Sequence, residues 1–138
     1  MDPIFDPTIR TQSDLEAAWH HLMGPWGFGG ASVWMLVVLA DDRLLPHLTE
    51  ITSADEPPDD DAVERFAELL SRLDLEPGDR LAFLRSRPGG SDVTDTDRAW
   101  AASLYAGTRQ AGLPCETVHL ATEDEVRPLP PDELAATA

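Results

Sequence analysis

The stretch that most constrains this chain runs from position 80 to position 97. The apolar residues Leu81, Ala82, Phe83 and Leu84 lead into Arg85-Ser86-Arg87, then into the turn residues Pro88-Gly89-Gly90-Ser91. Thr94-x-x-Asp97 follows, the pattern of a capping box that opens a helix carrying Trp100, Leu104 and Tyr105. Gly112 stands where a left-handed C′ residue stops a helix, and Pro114 cannot continue one. The stretch therefore predicts a strand at 80–84, a tight loop, and a helix at 95–111. A helix start offers free N–H groups and a glycine turn admits a ligand closely, so a site is expected at this junction.

The rest of the chain supplies the partners of that unit. Residues 1–11 contain Pro3 and Pro7 and read as an extended arm. Ser13-x-x-Glu16 is read as the capping box of a first helix with Leu15, Trp19 and Leu22 on one face, ended by Gly24-Pro25. His20 and His21 are adjacent, diverge around the helix, and read as solvated. The loop at 24–30 holds Trp26 and Phe28 between glycines; they either fold back on the core or present a surface to a partner. The continuous apolar run at 33–39 predicts a strand buried on both faces, and 44–51 its antiparallel return, with Pro46 marking irregularity or an edge. Ser53 starts a Pro- and Asp-rich loop that runs to Asp61. Asp61-x-x-Glu64 is read as the cap of a second helix with the stripe Val63, Phe66, Leu69, Leu70 and Leu73. Strands are expected at 115–121 and 126–129, and 135–138 should fray. The order α-β-β-α-β-α-β-β predicts one α/β domain over 12–134, a mixed sheet with helices packed on it.

Charge narrows the function classes. The chain of 138 residues carries 26 acidic and 10 basic residues, a net charge of −16. Such a surface repels phosphate backbones, so nucleic acid is not an expected partner. All the basic residues are arginine, which removes Schiff-base lysine chemistry and a Walker-type lysine. One cysteine leaves no internal disulfide framework, and the longest apolar run is too short to span a bilayer. No basic region precedes an apolar one at the first residues. A cytoplasmic protein without membrane attachment is expected.

The residues from 85 to 97 resemble the RadC-type branch of the JAB/MPN (JAMM) metalloprotease-like fold. That family reads apolar strand, His-x-His-Pro-Ser-Gly, a short loop, then Ser-x-x-Asp at a helix start. Here the places hold Arg85-Ser86-Arg87-Pro88-Gly89-Gly90 and Thr94-x-x-Asp97, with a loop one residue shorter. Val118-His119-Leu120-Ala121 resembles the family's Asp-His-Leu-Ile; Pro128-Leu129 and 131–135 resemble its closing Ser-Leu and short helix. The family's strand glutamate falls at Ala31. The resemblance implies a cytidine-deaminase-like α-β-α sandwich whose metal ligands have been lost. Of the two histidines, the aspartate and the glutamate, only Asp97 carries over, and arginine cannot ligate zinc. No metal and no cofactor is expected.

Two readings stay open. One is a non-catalytic module binding a protein, a second copy of itself, or a small anion. Its residues would be Arg85, Arg87, Gly89, Gly90, Ser91, Thr94, Asp97 and His119, with Trp26 and Phe28 as a second surface. For Arg85 and Arg87 the alternative to an anion site is bridging to Asp92, Asp95 or Asp97. The other reading is an enzyme using the same cleft without zinc, which would need a histidine and a carboxylate to converge there. Cys115 and His119 share a face of the predicted strand but stand too far apart along it for a hydrogen bond. Cys115 therefore reads as a buried small hydrophobe.

Overall fold

A computed structural model describes residues 8–23, 30–45, 49–53, 56, 58–59, 61–90, 92–123 and 125–131. In chain order these form α1 (Gln12–Met23), β1 (Ser32–Val38), β2 (Thr49–Ser53), α2 (Ala62–Ser71), β3 (Arg80–Ser86), α3 (Asp95–Ala111), β4 (Val118–Ala121) and β5 (Val126–Leu129). The predicted order of elements is the observed one. The five strands make a single mixed sheet in the order β2-β1-β3-β4-β5. β1 runs antiparallel to both β2 and β3, β3 and β4 are parallel, and β5 returns antiparallel along β4. β3 and β4 are joined through α3, as a parallel pair requires a long crossover.

Alternation along the strands divides the core in two. Val33, Met35 and Val37 of β1, Leu81 and Phe83 of β3, and Val118 and Leu120 of β4 pack with Leu70 of α2 and Ala101 and Leu104 of α3. The intervening residues, Leu36, Val38, Ala82, Leu84 and Ala121, pack with Leu15, Ala18 and Trp19 of α1. The sheet is thus covered on both faces, which is why β1 and β3 read as unbroken apolar runs. The result is a three-layer sandwich, with α1 on one face and α2 and α3 on the other.

The two helices of the second layer approach closely because of Gly107. A Cβ built there would stand 2.4 Å from Cδ2 of Phe66, whose ring packs edge-on against Phe83 at 5.4 Å between centroids. Helix propensity alone would favour alanine at 107 by up to about 1 kcal/mol. The overlap with a packed ring outweighs that, so Gly107→Ala is expected to lose about 1–3 kcal/mol in urea unfolding. Cutting Phe66 to leucine in the same chain should recover part of the loss; an unchanged midpoint for Gly107→Ala alone would show that the helices can slide apart.

Several boundaries differ from the sequence reading. The α1 cap is two residues earlier: the Asp14 N–H donates to Thr11 Oγ1 at 3.1 Å, and the Thr11 N–H donates to Asp14 Oδ2 at 3.1 Å. The box is therefore Thr11-x-x-Asp14, because Thr11 lies in reach of the first free amides and Ser13 is already inside the helix. Asp61 holds the N-cap position of α2 but makes no side-chain cap bond. Asp59 serves there instead, its carboxylate accepting the Asp61 N–H and its backbone carbonyl the Ala62 N–H. The return strand is later than expected. Leu44 and Leu45 only touch the end of β1 through a bridge to Val38 and a bond to Val37. The continuous ladder is Thr49–Ser53, with a bulge opposite Val33 and Trp34, so Ser53 is strand rather than loop. β4 begins at Val118; Cys115 makes one isolated bridge to Leu81. At the other end of the chain, Ile9 is buried and tied down, its N–H to the Asp42 carbonyl and its own carbonyl to Arg80. Arg80 also binds Asp42 and Glu116, bracing the start of β3. The predicted fraying at 135–138 lies outside the described residues.

Candidate functional site

β3 continues two residues beyond its apolar run, to Ser86. The alternation that turns Leu81 and Phe83 toward α3 turns Arg85 the same way, while Ser86 faces the α1 layer and accepts the Trp34 Nε1–H at 2.8 Å. Arg87 follows at i+2. Both guanidiniums arrive at the first turn of α3, where the capping box has already fixed Asp97. The Asp97 N–H donates to Thr94 Oγ1 at 3.1 Å and the Thr94 N–H donates to Asp97 Oδ2 at 2.9 Å. Arg85 Nε donates to Asp97 Oδ1 at 2.7 Å. Arg87 Nε lies 2.8 Å from Oδ1, and its Nη2 lies 2.8 Å from Oδ2. Asp97 has no exposed surface, and the Arg85 side chain is only 3% exposed. The expected bridging of the arginine pair to a nearby aspartate is what the structure has, inside the protein rather than on its surface.

This knot also shapes the loop. Arg87 Nη1 donates to the carbonyls of Pro88 and Gly90, and Nη2 to that of Asp92. With the two bonds to Asp97, the five N–H groups of Arg87 all have partners. Gly89 sits at φ 97°, a left-handed conformation that favours glycine, and its carbonyl accepts the Glu123 N–H. The Arg87 N–H reaches the Ala121 carbonyl at 3.0 Å, so the loop is pinned to the end of β4. Ser91 lies outside the described residues.

The electrostatics follow from this packing. Burial alone would push the Asp97 carboxyl up. The bonds from Arg87, Arg85 and the Thr94 amide overcome that and hold its pKa at about 2. A buried carboxylate with such a pKa and four donors on its two oxygens is neither a general base nor a free ligand.

His119 stands apart. It alternates with Val118 and Leu120, which face α3, so it points into the α1 layer, on the far side of the sheet from Arg85, Arg87 and Asp97. It is fully buried, with Nδ1 3.0 Å from the Thr117 carbonyl, and burial pushes its pKa down to about 4. Cys115 packs on the α3 side and so does not share a face with His119, contrary to the strand reading. Its thiol is pushed up to about 12 by burial and stays protonated. The histidine, the thiol and the carboxylate therefore do not converge. Among the described residues no group of three or more His, Cys, Asp or Glu side chains is placed to hold a metal ion. Trp26 and Phe28 lie outside the described residues.

The sequence reading missed a pocket of about 190 Å³ between α2 and α3, lined by Val33, Ala62, Phe66, Leu69, Trp100, Ser103 and Leu104, with Arg65 as its one charged lining residue. Its signal was available: Leu69 and Leu70 are adjacent, so a stripe holding both is too wide to be buried on one side. Leu70 is in the core, and Leu69 is left 45% exposed. Comparison of this chain with protein-family profiles, curated proteins and solved structures finds no match. No helix among the described residues is long and apolar enough to cross a membrane.

Proposed function

We propose that this chain is a non-catalytic binding domain whose ligand is another protein. The observation that carries the reading is the use of Arg85 and Arg87, which both donate to the same buried carboxylate, that of Asp97. In the RadC-type pattern that this stretch resembles, those places belong to metal ligands; here they belong to a structural ion knot. The observed element order is compatible with that scaffold. Of the two ligand classes left open by the sequence, a protein is favoured over a small anion. Arg87 has its donors committed, and the capping box engages the Thr94 and Asp97 amides at the α3 start.

The test has two arms on the intact chain. Incubated with zinc and a panel of fluorogenic peptide and isopeptide amides, the protein should show no turnover above buffer. Its melting temperature should show no saturable rise with phosphate or sulfate. Hydrolysis that follows the folded protein through size-exclusion chromatography would overturn the non-catalytic reading. A saturable anion response lost in Arg87→Ala would restore the anion site.

A further inference from the structure

Resting on that binding role, we propose that the α2–α3 pocket docks a cationic segment of a partner protein, with one aromatic or branched aliphatic side chain in the pocket and flanking arginines or lysines on its rim. The pocket is apolar where it is deep: Val33 of β1 lies beside Phe66, Leu104 and Trp100. At about 190 Å³ it exceeds the roughly 150 Å³ cavity that accepts a benzene ring, so one large side chain fits. Trp100 is held in position by its Nε1–H bond to the Glu56 carbonyl at 2.8 Å. Leu69 forms an exposed apolar lip, which in a monomer leaves hydrophobic surface against water at the mouth of a cavity.

Charge selects the partner. From Asp55 to Glu68 the chain holds seven acidic residues and a single cation, Arg65. Both Asp59 oxygens accept from Arg65 Nη2 at 2.9 Å, which neutralises that cation at the pocket edge. Glu68 is engaged by Arg72, whereas Asp61 and Glu64 are exposed and make no ion pair among the described residues. The pocket is thus apolar apart from Ser103 and Arg65, the latter neutralised by Asp59; the exposed Asp61 stands next to the lining residue Ala62, and the chain as a whole has a net charge of −16. That field repels a fatty acid or a phosphorylated ligand and draws in a basic one. In the sequence the acidic residues run over fourteen positions, from Asp55 to Glu68, more than one small molecule would engage, so a peptide segment suits the charge better than a free amine.

The probe is a synthetic peptide, acetyl-Arg-Lys-Ala-Phe-Ala-Lys-Arg-amide, titrated into the isotope-labelled full chain and followed by amide and indole NMR shifts. Saturable shifts are expected at Phe66, Leu69 and the Trp100 indole. Replacing the peptide's phenylalanine by alanine should weaken binding roughly tenfold, as loss of an anchor does. Leu69→Asp, at a position exposed enough to tolerate it, should weaken it to a similar degree. Ser103→Gln, which narrows the pocket from α3, is a second variant should Leu69→Asp not fold. Asp61→Asn should weaken binding measurably and flatten its salt dependence. The proposal is overturned if no pocket resonance moves, if the alanine peptide binds as well, if the pocket variants bind as the parent does, or if a glutamate-flanked peptide binds equally. A silent titration beside an inert hydrolysis assay removes this site and leaves the non-catalytic reading standing.

Discussion

Asp97→Ala is expected to cost about 3–5 kcal/mol, as breaking a buried ion network by removing one member does. A small domain has roughly 5–15 kcal/mol in total, so this single change consumes a large share of it. The loss has three physical parts. Arg85, buried to 3% exposure, would keep a charge with its carboxylate gone. Arg87 would lose the anchor that lets it gather the carbonyls of Pro88, Gly90 and Asp92. The α3 start would lose the half of its capping box that accepts the Thr94 N–H. Asp97→Asn keeps the shape and one acceptor, so it should be milder than alanine yet still clearly destabilised. Replacing Asp97, Arg85 and Arg87 together with apolar residues of similar size should recover much of the loss, because no charge is then left buried alone. Urea unfolding followed by circular dichroism reads all of these. A loss under about 1 kcal/mol for Asp97→Ala would mean that water reaches the knot and the carboxylate is not its centre.

The contrast between what was and was not legible in the sequence has a physical origin. The α3 limits, 95–111, follow from local chemistry: a Thr-x-x-Asp box at one end and a left-handed glycine at the other, both observed. β1 and β5 were likewise set by local apolar patterning. The failures lie where a residue's role depends on distant chain. Ser13-x-x-Glu16 and Thr11-x-x-Asp14 are both acceptable boxes, and only the packing of Leu15, Ala18 and Trp19 onto the sheet selects the earlier start. β3 reaches Ser86 because β1 and β4 supply ladder partners on both sides, and an arginine in an interior strand is tolerated only because Asp97 waits opposite. That pairing was visible as an option, but burial was not. His119 was placed in the Arg85 cleft by analogy. A single-residue count along β4 sends it through the sheet to the other face, once Val118 and Leu120 are known to face α3. The pocket escaped because the apolar stripe of α2 was read as core throughout, while Leu69 turned out to be surplus to it.

Acid should lower the stability of this protein in two separate pH windows of differing origin, and the first belongs to His119. Its Nδ1 is placed to donate to the Thr117 carbonyl, leaving Nε2 as the unprotonated nitrogen, buried with no hydrogen-bond partner among the described residues. Protonation would put a charge and an N–H there with nothing to receive them. Burial is the main cause of the fall from the ordinary 6.5 to about 4; the Thr117 bond and the charge of Glu116 pull the other way and lose. The sign then follows. Between pH 6.5 and about 4 the unfolded chain binds a proton at this site and the folded chain does not. Stability is therefore full above pH 6.5 and falls on acidification by up to about 1.4 kcal/mol per pH unit, about 3 kcal/mol across the window. Asp97 acts lower: its folded pKa of about 2 lies below the ordinary 3.8, so its contribution is present above 3.8 and lost as pH falls toward 2. Urea midpoints measured from pH 7.5 down to pH 3 should show the first slope, and it should vanish in His119→Asn. The asparagine amide can take over the bond to Thr117 but cannot titrate. The variant is expected to be less stable at neutral pH, because the smaller side chain leaves a void, yet flat between pH 6.5 and 4. An equal slope in parent and variant would assign the acid sensitivity to other groups and would mean that water can reach His119 from the α1 side.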